Sequence, residues 1–343
     1  MNWNCVSTLP GVLLACAIAA PAVGQETTPA MLAAATKEGK VVWYTSIDVK
    51  VSELIAKAFR AAYPGIQIEV ERAGAERVFQ RINQEYQSGI RNADVVNSSD
   101  ASHFIYWKQQ KWLARHIPPD VERYPAQFKD PEGYYATWRA TLSVMGYNTN
   151  LVQTKDAPRG YLDLLDPKWK GKLVKAHPDY SGTSLTGTYA MVKVLGWNYF
   201  EKLSKQGTQQ LQSTTATPKS IASGERAVMV DGNEYNMFME IDARSPVAII
   251  YPKEGTPFVS SPTAIFADAP HPNAARVLQN FLYTAKIQQL TVNEGGTRSL
   301  HPDVKDPPGR VPLSQIKILP DDPAAMLPLV PDIKKRYTTL FGN

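Results

Sequence analysis

The residues best suited to bind a ligand lie between positions 177 and 188, where a proline-containing turn leads into small hydroxylated residues. This pattern predicts the end of a strand and then a helix capped by Ser181 or Thr183, because a hydroxyl oxygen there can accept a hydrogen bond from an unpaired amide. Gly182 has no Cβ, so a ligand can come close to the backbone. Free N–H groups and the positive end of the helix dipole favour an anion. An ordinary helix cap that binds nothing is the alternative.

Strands and helices alternate on both sides of this segment. The predicted strands are 40–44, 66–70, 93–96, 172–174 and 227–230, and the helices between the first three are 51–63 and 76–88. This alternation predicts open, mostly parallel α/β sheets, which bind ligands beyond the carboxyl ends of their strands. The loops at 45–46, 98–100 and 231–236 follow strands and are polar and small. Each is suited to a ligand site, and a solvated loop with a helix cap is the alternative.

The first 24 residues differ from the rest of the 343-residue chain, because they contain no charged residue and their apolar run ends in small residues. This pattern is typical of a secretory signal peptide cleaved after Gly24, and it predicts a soluble mature protein in the periplasm. Residues 13–16 resemble a lipobox, so a lipidated N-terminus at Cys16 is the alternative. Cys5 and Cys16 are the only cysteines, and cleavage would leave no thiol for catalysis or for a zinc ribbon.

Neither nucleic-acid binding nor catalysis has a recognisable signature. The formal net charge of +5 suits an anionic ligand, but no block of Lys and Arg indicates a nucleic acid as partner. Residues 182–186 depart from the Gly-x-Ser-x-Gly elbow at the last position, and residues 182–189 have phosphate-loop spacing without its lysine. The five histidines show no paired metal-ligand spacing, and we expect His116, His177 and His271 at the surface. We therefore expect no enzyme.

Several segments, taken in order along the chain, resemble one protein family. They are residues 41–46, 94–100, 145–148, 251–257, 272–276, 281–284 and 296–303. Together they span nearly the whole mature chain, which resembles the extracellular solute-binding proteins of ABC importers. It is most similar to the ferric-ion-binding subgroup of the type II periplasmic binding proteins.

The resemblance implies an α/β fold of two lobes, each a mostly parallel sheet flanked by helices, with the ligand in the cleft between them. The lobes would comprise residues 25–140 with 248–290 and residues 141–247 with 291–343. Crossover strands would join them near 137–144 and 247–251, and the lobes would close on the ligand by a hinge motion. The family also implies a monomer that delivers its ligand to an ABC permease in the inner membrane.

The ferric binders hold a synergistic anion with a Ser-Gly helix start and an asparagine, and they bind the metal with two adjacent tyrosines. In this sequence residues 181–183 match the anion-binding helix start, Asn233 matches the asparagine and Tyr235 matches the first tyrosine. Asn236 stands at the position of the second tyrosine. The resemblance therefore implies that the anion-binding half of the site is kept and the metal-binding half is largely lost.

The other metal positions of the subgroup also differ, because its histidine falls at Asp48 or a neighbour and its glutamate falls at Ser98 or Ser99. Two ligands stay open. One is a small anion that carries a phosphate, phosphonate or carboxylate group; the other is ferric iron with a synergistic anion, bound mainly by Tyr235 with oxygens from Glu234 and Asp48. No resident cofactor is expected. The candidate ligand-binding residues are Thr45, Ser46, Ser98, Ser99, Ser181, Gly182, Thr183, Asn233 and Tyr235.

Overall fold

The computed structural model describes Met1, Gly24 and residues 26–342, so the predicted signal peptide lies almost entirely outside the described residues. The helices are α1 (Pro29–Glu38), α2 (Val49–Ala62), α3 (Ala75–Gln87), α4 (Ser102–Gln109), α5 (Gly182–Leu195), α6 (Trp197–Ser204), α7 (Thr217–Ala222), α8 (Glu234–Asp242), α9 (Pro272–Tyr283), α10 (Ala285–Gly295), α11 (Pro323–Met326) and α12 (Val330–Phe341). Among the residues that the structure describes, none of these helices combines the length and the apolar character that a bilayer span requires.

The strands are β1 (Lys40–Thr45), β2 (Gln67–Arg72), β3 (Val95–Asn97), β4 (Ala136–Asn148), β5 (Leu173–Ala176), β6 (Gln209–Leu211), β7 (Val228–Asn233), β8 (Val247–Ile250), β9 (Thr256–Ile265) and β10 (Ile318–Leu319). They form one ten-stranded sheet in the order β2-β1-β3-β9-β4-β7-β5-β6, with β8 paired to β4 and β10 paired to β9. β1 runs parallel to β2 and β3, and β5 runs parallel to β6 and β7. Each end of the sheet is therefore a parallel α/β unit, as predicted.

The antiparallel pair β4 and β9 joins the two units. The first part of β4 pairs with β9 between Ala136 and Leu142, and its second part pairs with β7 between Ser143 and Tyr147. Every residue of β4 is buried. The chain passes from the first unit to the second along β4, and it returns at residues 251–255, between β8 and β9. The exact lobe boundaries given above stay a prediction.

The first unit folds around β1, β3 and β9 because almost every residue of these strands is buried. Helices α2 and α9 each have an apolar stripe, which an amphipathic helix buries against a sheet. Their packing brings the rings of Phe59 and Phe281 edge to face, with centroids 5.3 Å apart. These contacts hold the loops after β1 and β3 in place.

The second unit folds around β5 and β7, which α5 and α12 cover. Tyr337 of α12 is fully buried, with its ring centroid 5.9 Å from that of Phe200 and 4.9 Å from that of His177. The C-terminal helix therefore belongs to the core of this unit. Its packing fixes the end of β5, from which α5 begins.

Candidate functional site

A cleft lies between the two units, where the chain leaves the carboxyl ends of β1, β3, β5 and β7. It encloses little free space, about 10 Å³, which is roughly room for one water molecule. Parallel α/β sheets bind ligands at this position. The cleft is lined by Ser46, Arg72, Gly74, Ala75, Ser99, Arg139, Tyr180, Ser181, Thr183, Ser213, Thr214, Thr215, Asn233 and Tyr235. The structure therefore brings together six of the predicted ligand-binding residues, namely Ser46, Ser99, Ser181, Thr183, Asn233 and Tyr235.

Ser181 caps α5. Its backbone is extended, with φ −124° and ψ 115°, and its Oγ accepts a hydrogen bond from the Ser184 amide at 3.4 Å. The same Oγ lies 3.1 Å from Thr214 Oγ1, which ties the cap to the loop before α7. The first amides of the helix, at Gly182 and Thr183, have no intrahelical acceptor. They provide two donors at the positive end of the helix dipole.

A buried ion pair fixes the start of α5. Lys175 Nζ lies 2.7 Å from Asp231 Oδ2 and donates to Ser184 Oγ at 2.8 Å, and all three side chains are fully buried. Ser184 Oγ in turn donates to the Ala176 carbonyl at 2.6 Å. Burial lowers the pKa of Lys175, while attraction to Asp231 opposes that shift. The pair connects β5, β7 and α5, and its two charges offset each other close to the helix start.

Gly182 brings the two units into contact. A Cβ at this position would lie 2.8 Å from Asp100 Cβ and 3.0 Å from both Ala75 Cβ and the Ser99 carbonyl carbon. Real Cβ atoms rarely come so close to their neighbours, so glycine is required here. The structure therefore shows the cleft closed, and Gly182 closes it rather than lining it.

Arg139 is a buried cation in the wall of the cleft. It belongs to β4, is 2% exposed, and lies with its guanidinium 5.3 Å from the ring centroid of Tyr235. One N–H donates to Thr141 Oγ1, but Nε has no partner, and none of the described carboxylates forms an ion pair with the guanidinium. Burial lowers the pKa of Arg139, because the charged form loses its hydration. A buried guanidinium of this kind is costly until an anion neutralises it.

A chain of amides fixes the atom that Asn233 presents to the cleft. Asn236 Nδ2 donates to Asp48 Oδ2 at 3.3 Å, and Asn236 Oδ1 accepts from Asn233 Nδ2 at 3.0 Å. Because a carboxylate only accepts, it sets the orientation of both amides. Asn233 Oδ1 is then left buried and accepts no hydrogen bond from a described residue. Asn233 therefore offers the cleft an acceptor, whereas the resemblance implied a group that holds an anion.

Tyr235 lies between Arg139 and Asp48 in the wall of the cleft. It is 3% exposed. Burial raises the pKa of its phenol; Arg139 lowers that pKa in part, and Asp48 raises it. The phenol therefore stays protonated at neutral pH and can donate or accept a hydrogen bond.

Three predicted ligand-binding residues do not line the cleft. Thr45 is fully buried, and its Oγ1 donates to Asn97 Oδ1 at 3.2 Å. Ser98 is also fully buried, with its Oγ 3.0 Å from His103 Nδ1. The third is Gly182, which touches the opposite unit. A direct ligand-binding role for these three stays a prediction, and their visible contacts support the loops behind the cleft wall.

Glu234 does not face the cleft either. Its two oxygens lie 2.8 Å and 2.7 Å from Arg298 Nη2 and Nε, and Tyr251 donates to one of them at 2.5 Å. Since both oxygens are held by other side chains, Glu234 is not placed to serve as an iron donor. The pair instead links α8 to the segment after α10.

Arg139, Arg72 and the loop at 213–215 also line the cleft, but they were not predicted from the sequence. A charged residue inside the apolar extended segment 136–148 is the feature that could have identified Arg139, because an arginine is rarely buried without a partner. No comparable feature marks the loop at 213–215, since Ser and Thr are common in solvated loops.

The prediction of surface histidines is wrong for His116 and His177, which are 3% and 1% exposed. His116 Nε2 lies 2.8 Å from Asn280 Oδ1. His177 Nε2 lies 2.9 Å from the Gly342 carbonyl, because the end of α12 packs over the turn that contains the histidine. A turn in the sequence was therefore no guide to exposure at these positions.

The chain is similar to known extracellular and periplasmic binding proteins. The model of the family described as bacterial extracellular solute-binding protein matches residues 91–309. A probable ABC transporter periplasmic-binding protein of Sinorhizobium fredii is 24% identical over 257 residues, which cover 69% of this chain and 70% of that protein.

Two solved structures share the fold. The periplasmic binding protein AfuA from Actinobacillus pleuropneumoniae, with exogenous fructose-6-phosphate bound, matches with a TM-score of 0.81 at 20% identity and covers 88% of this chain and 98% of AfuA. Iron-bound HitA from Pseudomonas aeruginosa matches with a TM-score of 0.74 at 20% identity and covers 88% of this chain and 99% of HitA. The predicted fold of two α/β lobes is thus confirmed.

Proposed function

Because the chain belongs to the bacterial extracellular solute-binding protein family, we propose that it is the solute-binding component of an ABC importer and that its solute is a small anion held in the cleft between its two units. The relatives described above are binding proteins. We accordingly assign no reaction to this chain. Its task would be to capture the solute and deliver it to a permease.

Arg139 is the observation that carries this proposal. Its guanidinium is buried in the cleft wall and has no carboxylate partner among the described residues. A phosphate, phosphonate or carboxylate group can accept from the free Nε–H and offset the charge, and charge-assisted hydrogen bonds of this type are about twice as strong as neutral ones. Thr183, at the start of α5, lines the same cleft, and its amide adds a donor for the same group.

Asn233 indicates that the solute also carries a hydrogen-bond donor. Its Oδ1 is buried and accepts no hydrogen bond from the described residues, so it needs a donor from the solute. Hydroxyl groups on a phosphorylated or carboxylated polyol would provide this donor. AfuA, which shares the fold, has been solved with fructose-6-phosphate, a molecule of this chemical class.

The donor set is less suited to ferric iron as the solute. Of the proposed oxygen donors, Glu234 is held by Arg298, and Asp48 is held by Asn236. Tyr235 has a raised pKa and lies 5.3 Å from the Arg139 guanidinium, a cation that would repel a bound metal. HitA, which also shares the fold, is iron-bound, so iron has to be tested directly.

We further propose that the mature chain is a periplasmic monomer released by cleavage of residues 1–24. The alternatives are an anchor at Cys16 and retention of the leader. Mass spectrometry of the protein purified from the periplasm distinguishes these forms, because they differ in N-terminal residue and in lipid mass.

Isothermal titration calorimetry of the mature protein, after refolding to remove co-purified solute, tests the anion proposal. We expect fructose 6-phosphate, glycerol 3-phosphate or gluconate to bind at least a hundredfold more tightly than uncharged fructose. The double variant Thr183→Val with Asn233→Leu should abolish binding while its circular dichroism spectrum stays native. Thr339→Val, at an exposed threonine of α12, is the matched control and should bind normally.

A visible absorption titration with ferric iron, in the presence of phosphate or carbonate, decides between the two solutes. A tyrosinate band that saturates near one equivalent, together with no response to the organic anions, would replace the proposal with iron. Equal affinity for fructose and its phosphate would also overturn it, because Arg139 would then have no anion to bind.

A further inference from the structure

A cluster of metal-ligating side chains lies behind the wall of the cleft and is not part of the solute site. It consists of Glu76 from α3, and of Asp100 and His103 from the start of α4, which are 2%, 0% and 4% exposed. Each of the three offers one ligand atom, a carboxylate oxygen or a ring nitrogen, and these atoms all lie within 4.8 Å of one another. Ala75 and Ser99, the chain neighbours of the two acids, line the cleft. The two acids of the cluster are therefore adjacent in the chain to residues that line the cleft.

The outer oxygen of each carboxylate has its own partner. Asp100 Oδ1 accepts from the Ser102 amide at 2.8 Å and from Ser102 Oγ at 2.6 Å. Glu76 Oε2 accepts from Lys334 Nζ at 2.5 Å. The inner oxygens, Asp100 Oδ2 and Glu76 Oε1, are buried and face His103 Nε2. Outer partners of this kind are what orient carboxylates toward a bound metal.

His103 completes the arrangement. Its Nδ1 lies 3.0 Å from Ser98 Oγ, which directs Nε2 toward the two acids. Nε2 is 3.3 Å from Glu76 Oε1 and 3.4 Å from Asp100 Oδ2. With metal–ligand bonds of about 2.0–2.2 Å, neighbouring donors of a tetrahedral site lie about 3.3–3.6 Å apart. The two spacings from Nε2 fall within this range, so His103 lies at a suitable distance from each acid for both to share a small cation with it.

From this geometry we propose that Glu76, Asp100 and His103 bind a divalent transition-metal cation of the size of Zn²⁺, at a site separate from the solute site. One imidazole nitrogen with two carboxylate oxygens suits such a cation better than a thiol-binding or an all-oxygen metal. Lys334 belongs to α12, which packs on the second unit, whereas the three ligands belong to the first. Opening of the cleft would therefore move Lys334 away from Glu76 and give the cation a path into the site.

Cobalt(II) is the probe for this site, because tetrahedral cobalt has intense visible absorption. The untagged mature protein is treated with a chelator, dialysed and titrated with Co²⁺, and Zn²⁺ is then added as the competitor. We expect one equivalent of cobalt to produce the tetrahedral bands and one equivalent of zinc to abolish them. Glu76→Gln and His103→Gln should each weaken binding at least a hundredfold.

His177→Gln, which removes a buried histidine of the other unit, and Thr183→Val, in the solute cleft, are the controls and should keep the cobalt bands. Glu76→Gln is nearly isosteric, so it remains informative if His103→Gln fails to fold. The proposal is wrong if no tetrahedral band forms, because the cluster is then a charge pair around a protonated imidazole. It is also wrong if the band survives in Glu76→Gln, or if Thr183→Val alone removes it.

Discussion

Replacement of Arg139 by methionine should change affinity and stability in opposite directions. The guanidinium is buried, donates one hydrogen bond to Thr141 and has no carboxylate partner among the described residues. In the absence of solute the substitution removes a desolvated charge, so we expect the free energy of unfolding to rise by about 1–3 kcal/mol. With an anionic solute bound, the substitution leaves the solute charge buried and unpaired. That loss is about 2–5 kcal/mol, or roughly thirtyfold to a few thousandfold in affinity.

Two assays measure these effects on the same samples. Urea denaturation without solute gives the change in stability, and calorimetry with fructose 6-phosphate and with uncharged fructose gives the change in affinity. The loss should be confined to the phosphorylated compound. Arg139→Lys keeps the charge but not the planar fork of donors, so it should bind with intermediate affinity. Arg336→Met, at an exposed arginine of α12, is the control and should alter neither quantity.

Either of two results would refute this reasoning. If Arg139→Met binds the phosphorylated compound within threefold of the wild-type affinity, the guanidinium does not contact the anion. If the variant without solute is destabilised by several kcal/mol, Arg139 is a structural residue of β4, and its packing on Trp138 and Tyr235 is the reason for its burial.

Three further predictions follow from other contacts. Gly182→Ala should hold the cleft open and lower solute affinity at least tenfold, because the new Cβ would lie 2.8 Å from Asp100 Cβ. Small-angle scattering of this variant should show no compaction when solute is added. Normal compaction would contradict this prediction. Burial raises the pKa of the Asp321 carboxyl to about 7, above its value of about 4 in the unfolded chain. The contribution of this group to the free energy of unfolding is therefore fully present below about pH 4 and is lost as the pH rises toward 7. Asp321→Asn should remove this pH dependence and raise the free energy of unfolding at pH 8 by up to about 4 kcal/mol, with little change at pH 4. Equal urea midpoints of the wild type and the variant at pH 8 would disprove this prediction. Lys175→Met should destabilise the protein by about 3–5 kcal/mol, because it leaves the Asp231 carboxylate buried and unpaired, whereas the exposed Lys193→Met should change the urea midpoint little.

Local patterns explain what could be predicted from the sequence. The strand–helix alternation located β1, β2, β3, β5 and β7 within a few residues, because burial of apolar strands and amphipathic helices depends on neighbours in the chain. The cap at Ser181 was also predictable, since a capping hydroxyl bonds an amide three residues ahead. Six candidate residues met in one cleft because each follows the carboxyl end of a strand or starts the helix beyond it.

Contacts between distant residues explain what could not be predicted. Glu76 and His103 are 27 positions apart, and only the packing of α3 against α4 brings them to 3.3 Å. The spacing of Asp100 and His103, three residues apart at a helix start, is the one local indication of that cluster. The acceptor role of Asn233 depends on Asp48, whose position across the cleft is set by closure of the two units. A search for paired histidines or adjacent tyrosines cannot detect either arrangement.

Closure of the cleft connects the solute site with the proposed cation site. Gly182 touches Asp100, and Lys334 bonds Glu76, so two of the contacts between the units fall on residues of the cation cluster. The proposed solute would favour the closed form, because it would bridge Arg139 on β4 and the start of α5. If a bound cation alters the balance between open and closed forms, it must alter solute affinity, and linkage requires the solute to change cation affinity by the same factor. Titration of each ligand in the presence and absence of the other would measure that factor twice, and a factor of one in both titrations would show that closure does not couple the two sites.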